Sequence, residues 1–117
     1  IGEGEGLTLE EIQTKFGEDF ISNWRSYDER LLDFHFPNGE SKRQMMYRVR
    51  KVFLDIAQNT NRSTIGIFTH GMVMRAMTYV FGQGVPWGMN LFSNGCVHHY
   101  QWLDDSAERL TYKGRIF

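Results

Sequence analysis

The 117-residue sequence has little cysteine and no excess of either charge. The single cysteine, Cys96, excludes an internal disulfide framework and is typical of a reducing compartment, so we expect the cytoplasm. Its 13 basic and 14 acidic residues are mixed along the chain and give a net charge of -1, which disfavours nucleic-acid or anionic-membrane partners. The expected partner is therefore a small molecule.

Long apolar runs are also missing. No run approaches the roughly 20 residues that span a bilayer, and residues 1–6 lack the basic and apolar regions of a secretion signal. A start without Met, on alternating Gly and Glu, predicts a fragment of a longer protein. The 41% apolar and 15% aromatic content is enough for one compact domain with a sizeable core.

Several motifs of known site chemistry are absent from the sequence. It contains no Walker loop, no dinucleotide fingerprint and no Gly-x-Ser-x-Gly elbow, so we expect no cofactor. A cysteine phosphatase loop starting at Cys96 would need arginine where Trp102 stands. His98 and His99 are neighbours on a predicted strand and point to opposite faces, so we expect no metal site.

Two capping boxes mark helix starts. The first, Thr8-Leu9-Glu10-Glu11, predicts a helix that begins at Leu9 and ends at Gly17. A second short helix is indicated by the spacing of Phe20, Trp24 and Tyr27. The other box, at residues 41–44, opens a longer helix with one apolar stripe, formed by Met45, Val49, Val52, Phe53 and Ile56.

The remaining pattern alternates between strand and helix. Residues 64–69 are β-branched and continuously apolar, which is typical of a strand buried on both faces. Helical spacing runs from Gly71 to Gly82, residues 96–103 and 110–117 are predicted as strands, and residues 104–108 as their turn. A helix feeding a buried strand predicts an α/β fold with a parallel sheet.

His70 is the best catalytic candidate because it lies between the strand of residues 64–69 and the next helix. Open α/β folds bind ligands at such junctions. The first N–H groups of that helix, from Gly71 and Met72, would hold an anion, and Gly71 would let it approach closely. The imidazole could act as a phosphate ligand, a general acid or base, or a nucleophile, and position alone leaves all three open.

Two charged residues are weaker candidates for this site. Arg75, about one turn into the helix after His70, either supports the site or is a surface charge. Glu40 precedes a helix start and could reach a binding pocket, although a solvated or capping carboxylate is the commoner role.

Four blocks of the sequence occur in an order typical of one family. Residues 2–8 are similar to a Gly-x-Trp-Glu-Gly segment, with Gly4 where an aromatic residue is common. Residues 37–41, Pro-Asn-Gly-Glu-Ser, resemble a Pro-x-Gly-Glu-Ser block. Residues 67–71 with Arg75 resemble a strand and His-Gly-x-x-x-Arg block, and residues 93–96 the turn into a late strand. Together they resemble the histidine phosphatase superfamily, also called the phosphoglycerate mutase-like family.

This resemblance implies a three-layer α/β domain with a mainly parallel sheet flanked by helices, of which residues 1–117 are the C-terminal part. It also implies a phosphomonoesterase with a phosphohistidine intermediate, in which an Arg-His-Gly segment supplies the nucleophile and His70 holds the phosphoryl group. No Arg-His-Gly occurs in the 117 residues, and the family's usual acid would precede Ile1. We therefore expect the chain alone to be poorly stable and inactive.

Two other functions remain open. A phosphoglycerate mutase shares the chemistry, but the short connection between Tyr27 and Ser41 leaves little room for a substrate-enclosing segment. A non-catalytic relative that binds phosphorylated ligands is the other alternative. The aromatic surface around Trp87 and Phe92 is either a substrate lid or a dimer contact, so an oligomer is possible.

Overall fold

A computed structural model of the chain describes residues 1–89, 92–102 and 110–117. These residues form two compact units, Ile1–Met45 and Met46–Phe117. No helix among them is both long and apolar enough to cross a membrane. The elements, with two short 3-10 turns at Gly2–Gly4 and Glu29–Leu31, are α1 (Leu9–Phe16), α2 (Phe20–Arg25), α3 (Lys42–Asn59), α4 (Gly71–Phe81), β1 (His98–Trp102) and β2 (Leu110–Arg115).

Both predicted capping boxes are confirmed. Thr8 accepts a hydrogen bond from the Glu11 amide at 3.2 Å, and the Glu11 carboxylate accepts one from the Thr8 amide at 2.7 Å. These bonds to Thr8 lower the pKa of Glu11. Ser41 and Gln44 make the same reciprocal pair at the start of α3, at 3.1 and 2.9 Å. Each box satisfies amides that the first helical turn leaves without an internal partner.

The core of the Ile1–Met45 unit is an aromatic cluster around Phe36, which is 1% exposed. The rings of Phe16, Phe20 and Trp24 lie 4.8–5.6 Å from its ring centroid. Gly4 lies directly against this ring, and a Cβ atom added there would overlap it. The short helices α1 and α2 are therefore held together mainly by aromatic contact, as the predicted aromatic face of α2 implies.

The predicted stripe of α3 is only partly buried. Val49 is 4% exposed as predicted, whereas Val52 is 47% exposed, so the prediction for Val52 is wrong. Met46, which is not in the predicted stripe, is 5% exposed. The pattern gives the direction of an apolar face, but burial also needs a neighbouring element along the whole helix.

The predicted strand at residues 64–69 does not form a β-ladder. Among the described residues the sheet consists of β1 and β2 alone, and these pair antiparallel. Phe68 is 100% exposed and Ile67 is 43% exposed, which is the opposite of the predicted burial. The physical reason is that a buried strand requires a neighbour for its N–H and C=O groups, and no described segment supplies one here.

The antiparallel pair of β1 and β2 confirms the predicted return of the chain, within slightly shorter bounds. Tyr100 lies opposite Tyr112, and the register shifts between His99 and Tyr100. The predicted turn at residues 104–108 lies outside the described residues. Helix α4 ends at the Gly82 cap as predicted, and it buries Ala76 and Met77. The chain is thus an α/β protein, while its mainly parallel sheet and single-domain organisation stay predictions.

Candidate functional site

His70 occupies the cap position before α4. Its backbone is extended, with φ -100° and ψ 157°, and its carbonyl accepts the first helical hydrogen bond, from the Met74 amide at 3.0 Å. The imidazole makes no capping bond to the helix and is exposed. It is therefore available to a ligand at the end of α4.

The amides of Gly71 and Met72 belong to the first turn of α4, whose N–H groups lack helical acceptors. Both residues are exposed, with Met72 at 37%. The positive end of the helix dipole adds to these donors, so an anion beside His70 would meet favourable backbone electrostatics. No acidic residue lies in the first turn of α4 to oppose it.

Arg75 is not a surface charge, because it is only 6% exposed. One nitrogen of its guanidinium, Nη1, donates to the carbonyls of Trp87 and Met89 at 2.5 and 2.8 Å. The guanidinium also lies over two rings, 4.9 Å from the centroid of Phe92 and 5.8 Å from that of Trp87. Arg75 thus connects α4 to the loop that follows it, rather than extending toward solvent beside His70.

Phe92 lies close to the N-terminus of α4. A Cβ atom added at Gly71 would lie 3.8 Å from the Cβ of Phe92, which is ordinary van der Waals contact. The Phe92 ring is stacked on His98 at 4.9 Å, and the His98 ring on Tyr112 at 5.6 Å. We call these three stacked rings, Phe92, His98 and Tyr112, the aromatic column.

The column is joined to α4 at its other end through Tyr100, whose ring lies 5.2 Å from that of Tyr112. The Tyr100 and Thr78 hydroxyls are hydrogen-bonded at 2.6 Å, and Thr78 is fully buried. Nδ1 of His98 and the Tyr112 hydroxyl are also hydrogen-bonded, at 2.9 Å. Burial raises the pKa of Tyr100 to about 12 and raises that of Tyr112 as well.

The column is not predicted from the sequence, although a usable signal exists. His98 and Tyr100 alternate onto one face of β1, and an antiparallel return strand brings its own aromatic residue opposite them. The sequence pattern of this segment indicates only that its two histidines do not form a metal pair. In the part of the chain that the structure describes, no group of three potential metal ligands occurs.

Glu40 lies in the Ile1–Met45 unit, whereas His70, Gly71, Met72 and Arg75 all lie in the other. It is exposed and directly precedes Ser41, the cap of α3. Its proposed contact with substrate stays a prediction. The four residues of the second unit, in contrast, share one helix end.

Comparison with known proteins gives a consistent result. The family model of the histidine phosphatase superfamily (branch 1) matches residues 1–113. The chain is also 29% identical over 82 residues to a protein of Saccharomyces cerevisiae (strain ATCC 204508 / S288c) described as fructose-2,6-bisphosphatase. That alignment covers 70% of this chain and 16% of the yeast protein, so the chain spans only a small part of that relative. No solved structure is significantly similar to the chain.

Proposed function

Because the chain belongs to the histidine phosphatase superfamily, we propose that it forms part of a phosphomonoesterase that works through a phosphohistidine intermediate. The observation that carries this proposal is the position of His70, exposed at the cap of α4 beside first-turn amides that have no acceptor within the helix. Donors fixed in this way can stabilise charge that develops on a transferring phosphoryl group.

In this proposal His70 holds the phosphoryl group and does not attack it. The nucleophile is the histidine of an Arg-His-Gly segment, which the 117 residues do not contain. Its ring nitrogen forms a bond to phosphorus while the bond from phosphorus to the ester oxygen breaks, and an acid protonates the departing oxygen. Water then attacks the phosphohistidine, which releases inorganic phosphate and restores the free imidazole.

During both steps the negative charge of the phosphoryl group is spread over its three equatorial oxygens. His70 and the amides of Gly71 and Met72 would donate hydrogen bonds to those oxygens, and Glu40 would contribute to substrate binding. We assign this stabilisation to side-chain and backbone donors. The proposed substrates are small phosphate esters, among them sugar phosphates, or phosphohistidine on proteins.

The remaining fold predictions belong to the same proposal. Residues 1–117 would be the C-terminal part of one three-layer domain, in which residues 64–69 join a mainly parallel sheet. The protein would act in the cytoplasm. A phosphoglycerate mutase is the alternative within the same chemistry, and the short connection between Tyr27 and Ser41 disfavours it.

A second candidate function is binding of a phosphorylated ligand without turnover. A parent protein without Arg-His-Gly would favour it, because the donors at His70 could bind phosphate without a nucleophile. Reading the complete gene distinguishes the two: a strand that ends in Arg-His-Gly supports the enzyme, and another residue at that histidine supports the binding protein.

The mechanism is tested with the full-length protein and a ³²P-labelled phosphate ester, quenched in alkaline detergent because phosphohistidine is labile to acid. We expect label on the histidine of Arg-His-Gly. His70→Gln should lower kcat by about 10²–10³-fold, as the loss of one donor to a developing oxyanion does. His99→Gln, an exposed histidine on β1, is the matched control and should leave kcat unchanged.

Three results would contradict the proposal. They are label on His70, full turnover by His70→Gln, and robust turnover by residues 1–117 alone. The last would show that the chain supplies its own nucleophile.

A further inference from the structure

Gly71 brings the proposed phosphate site close to a large side chain. It follows His70 directly and has no side chain of its own, yet the space beside it is not open. Phe92 borders that space, with its Cβ 3.8 Å from where a Gly71 side chain would begin. The Gly71 side of the site is therefore bounded by a residue from the loop after α4.

The Phe92 ring is held by contacts to two other groups. The Arg75 guanidinium lies 4.9 Å from its centroid, and the His98 ring stacks on it with an interplanar angle of 23°. Cation–π and stacking contacts of this kind each contribute a fraction of a kcal/mol to about 2 kcal/mol. A ring fixed in this way has little freedom to move aside for a ligand.

The two groups that hold Phe92 are themselves anchored. Arg75 is buried and bonded to the carbonyls of Trp87 and Met89. His98 lies on β1, stacks on Tyr112 and is hydrogen-bonded to its hydroxyl. The position of Phe92 thus depends on α4, on the loop and on both strands.

We propose that Phe92 is the specificity-determining residue of this site, which limits the size of the group attached to the phosphate at His70. The inference rests on the proposed function and adds to it a substrate class, phosphate monoesters with a compact alcohol. The aromatic column sets this limit because it keeps the Phe92 side chain against Gly71. A bulky ester would have to displace a ring that is stacked on His98.

The test uses the full-length protein and three probes that share a phosphate: inorganic phosphate, methyl phosphate and 1-naphthyl phosphate. Binding is measured by calorimetry for the wild type, Phe92→Ala and Phe92→Trp. Phe92→Ala should raise the affinity for naphthyl phosphate relative to methyl phosphate by about tenfold or more, the effect of enlarging an apolar pocket by several carbons. Phe92→Trp should shift the ratio in the opposite direction, and all three proteins should bind inorganic phosphate equally.

Phe117→Ala is the matched control, since it removes the same ring from an 81% exposed position. It should leave the ratio unchanged. Phe92→Leu provides a second variant that keeps an apolar side chain if Phe92→Ala folds poorly, and it should change the ratio in the same direction as Phe92→Ala. His98→Leu removes the stacking partner and should also raise the ratio, by less.

The outcomes separate the two proposals. Suppose that His70→Gln no longer binds inorganic phosphate, but the affinity for naphthyl phosphate relative to methyl phosphate is the same in Phe92→Ala as in Phe117→Ala. The size limit is then wrong and the phosphate site stands. A fall in naphthyl phosphate affinity in Phe92→Ala would also overturn the size limit, since it would mean that the ring attracts the ester. If the wild type does not bind inorganic phosphate, both proposals fail.

Discussion

Replacing Arg75 by Met tests how strongly the loop after α4 is bound to the helix. Methionine keeps much of the apolar volume of the side chain and removes the charge and its donors. Hydrogen bonds from a charged group are worth about 1.5–3 kcal/mol each, and the carbonyls of Trp87 and Met89 would lose one each. The contact with the Phe92 ring adds about 1 kcal/mol.

The loss is partly offset because the cost of burying the guanidinium is also removed. We therefore expect Arg75→Met to lower the free energy of unfolding by about 3–5 kcal/mol, somewhat less than the two hydrogen bonds and the ring contact contribute together. With a urea dependence of about 1.5 kcal/mol per M, the midpoint of unfolding should fall by about 2–3 M. Urea denaturation of the full-length protein, followed by far-UV circular dichroism, measures this directly.

Arg50→Met is the control, because Arg50 is exposed on α3. Its midpoint should not shift beyond error. Arg75→Lys should fall between the two, since an ammonium keeps the charge but not the planar group that lies over the rings. Equal midpoints for Arg75→Met and Arg50→Met would refute the reasoning, because the buried guanidinium would then contribute nothing to stability.

Three further predictions concern other parts of the chain. Burial holds Tyr100 neutral with a pKa of about 12, so its contribution to stability is complete below the unfolded pKa of about 10 and is lost as the pH rises toward 12. Between pH 8 and pH 11.5 the free energy of unfolding, measured by urea denaturation, should fall by about 2 kcal/mol less in Tyr100→Phe than in the wild type. Equal falls in the two proteins would contradict this. In residues 1–117 alone, Phe68→Ala should change the unfolding free energy by less than about 0.5 kcal/mol, whereas Phe36→Ala should cost about 3–5 kcal/mol; a large loss from Phe68→Ala in this chain would mean that the ring is buried. Ser41→Ala should lower stability by about 1 kcal/mol through its lost cap, and Ser63→Ala, an exposed serine, should match wild type in the same urea assay unless the capping argument is wrong.

The helices were predictable because their signals are local. A capping box sets where a helix begins, and Thr8 and Ser41 do so within their own first turns. Strand β2 was also predictable, because it is close in sequence to β1, the strand with which it pairs. The exposure of residues 64–69 was not predictable in this way. Whether a strand is buried depends on a neighbouring strand that its own residues do not specify.

The same distinction applies to the site. His70 is identified by its place before α4, which is a local property. The contacts of Phe92 with Gly71, Arg75 and His98 depend on the path of the loop after α4. The spacing of residues in the sequence does not predict that path. The burial of Arg75 illustrates this well, since a helical pattern allows an arginine at that position to face either solvent or the interior.

The contact between Gly4 and Phe36 constrains how this sequence can evolve. A side chain of any size at position 4 would overlap the Phe36 ring, so the two positions share a single volume and cannot vary independently. A relative with an aromatic residue at the position of Gly4 would need a smaller or displaced residue in place of Phe36. Substitutions at these positions should therefore arise as compensating pairs, and each alone should be removed by selection.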